Sequence, residues 1–351
     1  MPIGRIAQLS DFHFVPQLTH EKRAFYQAGR AKGHCFSRLV ALARQMDRLE
    51  RQDGRFDAVL CTGDLATDGS TAALATCLSY VENEEVRAGE PSQVYTLGLN
   101  ASAQRRLLLP GNHDRWTRKY AGFQVQGAAF ERALGLPTEY PYVVGLREQG
   151  TANDPDEHAI LFFVFDSTPG VFVNFWWWDR LARGRLEHGT LDSFMRKARA
   201  IQGDGIVRNL GGGADLRVRY SNCVRVVLLH HHPFDRRGTT LMENSAEFKE
   251  FCIKAGIHVV LFGHEHREYR AHDFGASELA PDPNHQTVYF CCPSASEYSS
   301  AHGFYEFTFD SDGFDFTFHK WRNMQFEPGG IDENSFLPGA PQRYLFSRTL
   351  Q

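Results

Sequence analysis

Five short clusters bring aspartate, asparagine and histidine together: Asp11-Phe12-His13, Gly63-Asp64, Gly111-Asn112-His113-Asp114, His230-His231-His232 and Gly263-His264-Glu265-His266. They offer carboxylate, amide and imidazole ligands without a thiolate. That donor set suits Mn, Fe, Zn or Ni better than it suits a soft-metal or structural zinc site. Two aspartates and four histidines exceed the needs of one ion. A carboxylate shared between two ions about 4 Å apart is the economical solution, and Asp64, alone on its glycine turn, is the natural bridge. Each cluster has a plainer reading when taken singly. Asp and Asn favour turns, and three successive histidines cannot all face one way because strand residues alternate sides, so at least one is structural. What argues for chemistry is that all five follow strands.

Those strands are read from apolar periodicity. Residues 3–9 form a first strand, 34–51 a helix and 57–61 a second strand, which is a βαβ unit; 71–86 reads as a helix and 106–109 as a short strand ended by Pro110-Gly111. Residues 160–165 form a continuous apolar strand. The stretch 170–222, with three consecutive tryptophans and a glycine-rich run at 203–213, reads as an insertion or lid plus one helix. Alternation resumes with a strand at 223–229, a helix at 246–255 and a strand at 258–262. From about residue 268 the pattern is strands only, with a hairpin pairing 304–309 with 314–318 across Asp310-Ser311-Asp312-Gly313. In an open α/β sheet the crevice lies beyond the carboxyl ends of the strands, so five distant clusters can converge there. A main domain over 1–322 and a tail over 323–351 complete the expected organisation.

Composition sets outer bounds. The 351 residues are 42% hydrophobic with 38 basic and 42 acidic side chains, a globular composition able to bury a large core. The formal charge of −4 gives no overall pull toward polyanions. No apolar run approaches the roughly 20 residues a membrane span needs, and residues 1–10 do not read as a signal peptide. Seven cysteines without a CxxC pair argue against a disulfide framework. A cytoplasmic location is the simplest expectation, with Cys291 and Cys292 reading as buried thiols beside a strand.

The five clusters, in this order and across most of the chain, resemble the calcineurin-like metallophosphoesterase superfamily. The resemblance implies an α/β fold, a four-layer α/β/β/α sandwich of two mixed sheets flanked by helices. It also implies that Asp11, His13, Asp64 and His266 hold one ion while Asp64, Asn112, His231 and His264 hold the other. His231 is selected because the family motif reads His, any residue, Pro, and Pro233 follows two positions later. His230 is the alternative, with His232 packing or supporting. By the same resemblance His113 and Asn112 face the substrate. His113 would stabilise the transition state or protonate the departing alkoxide, with Asp114 orienting it or capping the next helix.

Two divalent ions carry about +4, against about −2 from Asp11 and Asp64 and about −1 from a bridging hydroxide, which leaves a pocket that favours phosphate. The implied reaction is in-line attack of that hydroxide on phosphorus. Phosphoprotein phosphatases of the superfamily carry Gly-Asp-x-Val-Asp-Arg-Gly and Arg-Gly-Asn-His-Glu. This chain instead reads Gly63-Asp64-Leu65-Ala66-Thr67-Asp68-Gly69 and Pro110-Gly111-Asn112-His113-Asp114. It resembles the phosphodiesterase branch, with a phosphate-ester small molecule or nucleotide as substrate. Alternatives are a DNA exonuclease or endonuclease, a pyrophosphatase of a nucleotide-linked lipid, and a non-catalytic scaffold such as the retromer subunit of the superfamily. A nuclease needs a basic track with stacking aromatics. Arg115, Trp116, Arg118 and Lys119 supply a piece of one, or else a solvated helix face, with Arg115 the candidate substrate contact. Trp176-Trp177-Trp178 reads as a cover over the site or as an anchor for the insertion.

Overall fold

The computed structural model describes residues 2–15, 36–82, 85–88, 93–96, 99, 105–119, 122–125, 129–137, 139–148, 153–168, 184–234, 242–279, 282–297, 302–321, 336–339 and 341–346. One sheet holds β1 (Gly4–Leu9), β2 (Ala58–Cys61), β5 (Arg106–Leu108), β16 (Gly303–Phe309), β17 (Gly313–Trp321), β18 (Phe336–Pro338) and β19 (Gln342–Leu345). Its order is β18-β17-β16-β1-β2-β5, with β19 also on β17. The other holds β8 (Tyr142–Leu146), β9 (Ala159–Val164), β10 (Ile206–Asn209), β11 (Leu216–Arg217), β12 (Cys223–Leu228), β13 (Val259–Phe262), β14 (Tyr269–Ser277) and β15 (Asp282–Cys291). Its order is β11-β10-β8-β9-β12-β13-β15-β14. Two hairpins stand apart, β3 (Glu85–Ala88) with β4 (Gln93–Thr96) and β6 (Trp116–Lys119) with β7 (Gly122–Val125).

Three apolar layers hold the sheets and helices together. Alternate residues of β1 face opposite ways: Ile6 enters the layer between the sheets, with Leu60, Phe162, Val226 and Phe290, while Ala7 and Leu9 face the helices. There they meet Leu42 and Met46 of α1 (Phe36–Asp53) and Leu74 of α2 (Thr71–Val81). On the far face Phe163 and Val227 pack on Phe194 of α3 (Thr190–Asp204) and Phe251 of α4 (Ser245–Lys254). Both sheets are thus covered on both sides, so β9 is an unbroken apolar run, and β1 and β12 are buried along their whole length although they carry Arg5, Gln8 and Arg225. The α/β/β/α sandwich expected from the sequence is the observed architecture.

Some segments differ from the sequence reading. The second helix ends at Val81, and Val86 lies in β3. Within 170–222 the chain forms α3 and then β10 and β11, which extend the second sheet; residues 170–183, including Trp176 to Trp178, lie outside the described part. The segment read as a tail contributes β18 and β19, both antiparallel to β17. Each is too short, at three and four residues, to show a period. The six described cysteines are buried and free, and no described helix is long and apolar enough to cross a membrane.

The site depends on strand direction. β1, β2 and β5 run parallel in one sheet, and β9, β12, β13 and β15 run parallel in the other. The chain leaving these ends carries the Asp, Asn and His clusters described below.

Candidate metal centre

After β1 the backbone turns through left-handed conformations at Asp11 (φ 54°) and His13 (φ 49°); Asp64 (φ 50°), His264 (φ 73°) and His266 (φ 51°) do the same. Non-glycine residues seldom adopt such angles, and their concentration at one place marks strain held for function. Neighbouring glycines let the loops close. A Cβ on Gly111 would collide with Asp64, and one on Gly263 would collide with Ser10 and sit 2.7 Å from Asp11 Oδ2.

Two clusters result. In the first, His266 Nε2 lies 3.2 Å from Asp11 Oδ1 and 3.2 Å from His13 Nε2, and His13 Nε2 lies 3.7 Å from Asp64 Oδ2. In the second, His230 Nε2 lies 3.4 Å from the same Asp64 Oδ2, 3.1 Å from Asn112 Oδ1 and 3.2 Å from His264 Nδ1. One oxygen of Asp64 therefore serves both clusters, while its Oδ1 accepts the His113 amide at 2.8 Å.

Hydrogen-bond partners show which ring nitrogens keep a lone pair. A carbonyl can only accept, so His230 Nδ1, 2.8 Å from Thr62 O, carries the hydrogen and leaves Nε2 as the donor atom for a cation. Glu297 Oε2 does the same for His266, 2.5 Å from its Nδ1. Thr67 O accepts from His113 Nδ1 at 3.0 Å. His113 Nε2 is 4.0 Å from Asp64 Oδ2, and its side chain is 25% exposed. Of the three adjacent histidines, His230 faces Asp64, Asn112 and His264, and a ring nitrogen of His231 also lies within 4.8 Å of those of His230 and His264, a set able to hold a metal ion. His231 turns its Nδ1 to Ser167 Oγ at 2.9 Å, and His232 accepts from the Phe234 amide and packs on Phe262 and Tyr269.

These atoms fit a pair of cations. Around an ion with bonds of about 2.1 Å, neighbouring ligands sit roughly 3.0–3.5 Å apart, close to the spacings above. Imidazole nitrogens approach to 3.2 Å in each cluster, and the buried Asp11 Oδ1 lies 3.2 Å from His266 Nε2. The electrostatics demand positive charge as well. Burial opposes a proton on His230, yet Asp64 raises it to about 9; burial opposes one on His266, yet Asp11 and Glu297 raise it to about 10. Protons occupy the bare site where cations would otherwise sit. Burial and the charge on His230 hold His264 down at about 4.

Other expected residues hold different places. Asp114 accepts from the amides of Leu65 (3.0 Å), Ala66 (2.7 Å) and Gly111 (2.9 Å), tying the β2 loop to the β5 loop. Burial, with Asp64 close by, raises its carboxyl to about 7 against those three donors. Arg115, expected at the substrate, is instead 5% exposed, with one nitrogen 2.9 Å from Glu131 Oε2 and another paired to Glu131 and Asp166. The side chains of Trp116, Arg118 and Lys119 lie outside the described part.

Sequence reasoning missed Ser167, Ser294 and Glu297. Ser294 Oγ donates to Asp11 O at 2.7 Å and Ser296 Oγ to Phe12 O at 2.7 Å, so the turn after β15 grips the strained turn after β1. The available signal was a further polar run, Ser294-Ala295-Ser296-Glu297, just past a strand.

Two mixed sheets between helices, with paired cation clusters beyond their parallel strand ends, define the fold and site of a metallophosphoesterase. A family model described as calcineurin-like phosphoesterase matches residues 4–268, and the chain belongs to that family. No curated protein matches it. Among solved structures it is similar to GAP50, the anchor in the inner membrane complex of Plasmodium, at 7% identity and TM-score 0.53, covering 99% of this chain and 90% of that one. It is also similar to purple acid phosphatase PPD1 from yellow lupin seeds, at 11% identity and TM-score 0.48, covering 91% of this chain and 51% of that one. At such identities the likeness is one of fold.

Proposed function

We propose that this protein is a metal-dependent phosphodiesterase working through two divalent cations, one held by Asp11, His13, Asp64 and His266 and the other by Asp64, Asn112, His230 and His264. The observation that carries the reading is the single Asp64 oxygen lying 3.4–4.0 Å from His230, His13 and His113. Bound there, the cations would supply Lewis acidity and activate water for attack on phosphorus. The chain does the rest. Ser294, Ser296 and Glu297 fix the first cluster, and Asp114 joins the two loops that present Asp64 and Asn112. Thr67 O holds the His113 ring by Nδ1, leaving Nε2 directed at the shared carboxylate, where it is placed to hand a proton to the departing alkoxide. Diester preference rests on Pro110-Gly111-Asn112-His113-Asp114 and on the absence of the phosphoprotein-phosphatase motifs.

The test is turnover of bis-p-nitrophenyl phosphate against p-nitrophenyl phosphate with added manganese. The diester is expected to be the better substrate. His113→Ala should keep its metal and lose about 10²–10⁴-fold in turnover, the range of one general acid, whereas Asp64→Asn should lose metal and activity together. Faster monoester turnover would contradict the diester assignment, and equal metal loss in both variants would contradict the division of roles.

A further inference from the structure

The paired clusters straddle the two sheets. Asp11, His13, Asp64 and Asn112 follow strands of the first sheet, whereas His230, His231, His264 and His266 follow β12 and β13 of the second. Each cluster therefore needs the sheets held at one separation at this end. Beside the first cluster the hold is direct: Asp11 Oδ2 accepts the His264 amide at 3.1 Å, and Ser10 O accepts the Ala295 amide at 3.0 Å. Beside the second, an ion pair makes a further crossing.

Phe162 and Val164 of β9 face the layer between the sheets, while Phe163 and Phe165 face the outer helices. Asp166 follows in that alternation and reaches toward the first sheet, where its carboxylate pairs with Arg115. Arg115 ends the single helical turn that Asn112 begins. The same guanidinium holds Glu131 Oε2 at 2.9 Å, and Glu131 lies in the short helix Ala129–Leu134, whose Phe130 and Leu134 pack into the core on the outer face of the first sheet. One planar group thus grips carboxylates from both halves of the sandwich, which a single ammonium cannot do in the same geometry. Asp166 Oδ1 also accepts the Thr168 amide at 2.9 Å, which fixes the turn around Ser167. Ser167 Oγ in turn accepts the amides of His230 (3.2 Å) and His231 (3.1 Å). An unbroken link runs from Asn112 through Arg115 and Asp166 to Ser167 and these two histidines.

Resting on the two-cation reading above, we propose that Arg115 and Asp166 are positioning residues that set the distance between Asn112 and the His230–His231 turn, and so govern filling of the second cation site. Ligand atoms must be held within about 0.5 Å of their working geometry, and a tie between the two segments that carry them supplies that precision. The pair lies in the interior, with 6% of the Arg115 side chain and 18% of the Asp166 side chain exposed, so water screens it little. The hydrogen bonds that hold the first cluster together do not pass through it.

The experiment compares Asp166→Ala with Asp166→Asn, which keeps an acceptor for the Thr168 amide and for Arg115 but loses the charge. Manganese is titrated into each full-length variant by calorimetry and by electron paramagnetic resonance, which distinguishes a lone ion from a magnetically coupled pair; melting temperature and kcat/KM on bis-p-nitrophenyl phosphate follow. In Asp166→Ala the second manganese should bind about 10- to 100-fold more weakly, the range for a lost outer partner of a metal ligand. The first should bind within about twofold of the parent. At manganese levels that give the coupled signal in the parent, this variant should show the uncoupled one, and Asp166→Asn should recover most of the coupled signal. A lower melting temperature with both affinities unchanged overturns the proposal, as does equal weakening of both sites. A parent that never shows a coupled pair overturns the two-cation reading and this one with it. A parent that binds the pair but hydrolyses neither the diester nor the monoester overturns only the proposed activity, and the titration still decides the role of Asp166.

Discussion

Replacing Glu297 by glutamine removes one charge from beneath the first cluster and leaves its shape. Glu297 is fully buried and accepts from His266 Nδ1 at 2.5 Å, a charge-assisted bond that fixes the ring's orientation and raises the basicity of the Nε2 facing Asp11. Loss of such a carboxylate behind a metal-binding histidine lowers metal affinity about 10- to 100-fold, or about 1.4–2.7 kcal/mol. The loss should fall on the first cluster, because the ring that Glu297 holds is that of His266. It should also depend on pH. The same carboxylate helps hold a proton on His266 up to about 10, so below that value Glu297→Gln weakens the competing proton as well as the metal, and the deficit widens as pH rises. A competition titration against a chromogenic chelator at two pH values reads both effects. Equal weakening at both clusters, or a deficit that shrinks as pH rises, would refute the reasoning.

Metal uptake near pH 8 should release protons, since Asp64 and Asp11 keep His230 at about 9 and His266 at about 10 in the bare protein; affinity should therefore rise with pH, and calorimetry in buffers of different ionisation enthalpy counts the protons. Gly263→Ala should cost about 1–3 kcal/mol of stability by overpacking and lose the first metal, because the new methyl would displace Asp11; a variant with wild-type metal content would show that the turn relaxes freely. Arg115→Met should cost about 3–5 kcal/mol by stranding buried Glu131 and its partner Asp166, seen as a lowered melting temperature. A change in KM alone would instead return Arg115 to the substrate.

Asp114 and Arg115 show why neighbours of a motif are hard to assign. Both follow His113 directly, yet Asp114 spends its oxygens on amides up to 49 residues away, and Arg115 is taken up by Glu131 and Asp166, 16 and 51 residues along. Long polar side chains in a dense interior go to whichever unpaired groups the fold brings near. Nothing in a local spacing records those partners.

Much was legible in the sequence alone. Strands covered on both faces are mostly apolar, so β9 and β13 read as unbroken runs and β1 and β12 as runs interrupted by Arg5, Gln8 and Arg225, and the polar residues that follow each strand mark where the chain leaves the sheet. Residue type and chain order therefore sufficed to place Asp11, His13, Asp64, Asn112, His264 and His266 at one end of the sandwich and to name the family. The choice among His230, His231 and His232 was not legible, because consecutive imidazoles have the same chemistry until their second nitrogen finds a partner. Thr62 O fixes the His230 ring from 168 residues away, and Ser167 Oγ meets the His231 ring from 64 residues away. The same holds for Glu297 and for strands β18 and β19. A single buried carboxylate and a three-residue edge strand gain their meaning from contacts distant in the chain, and only the folded molecule supplies those contacts.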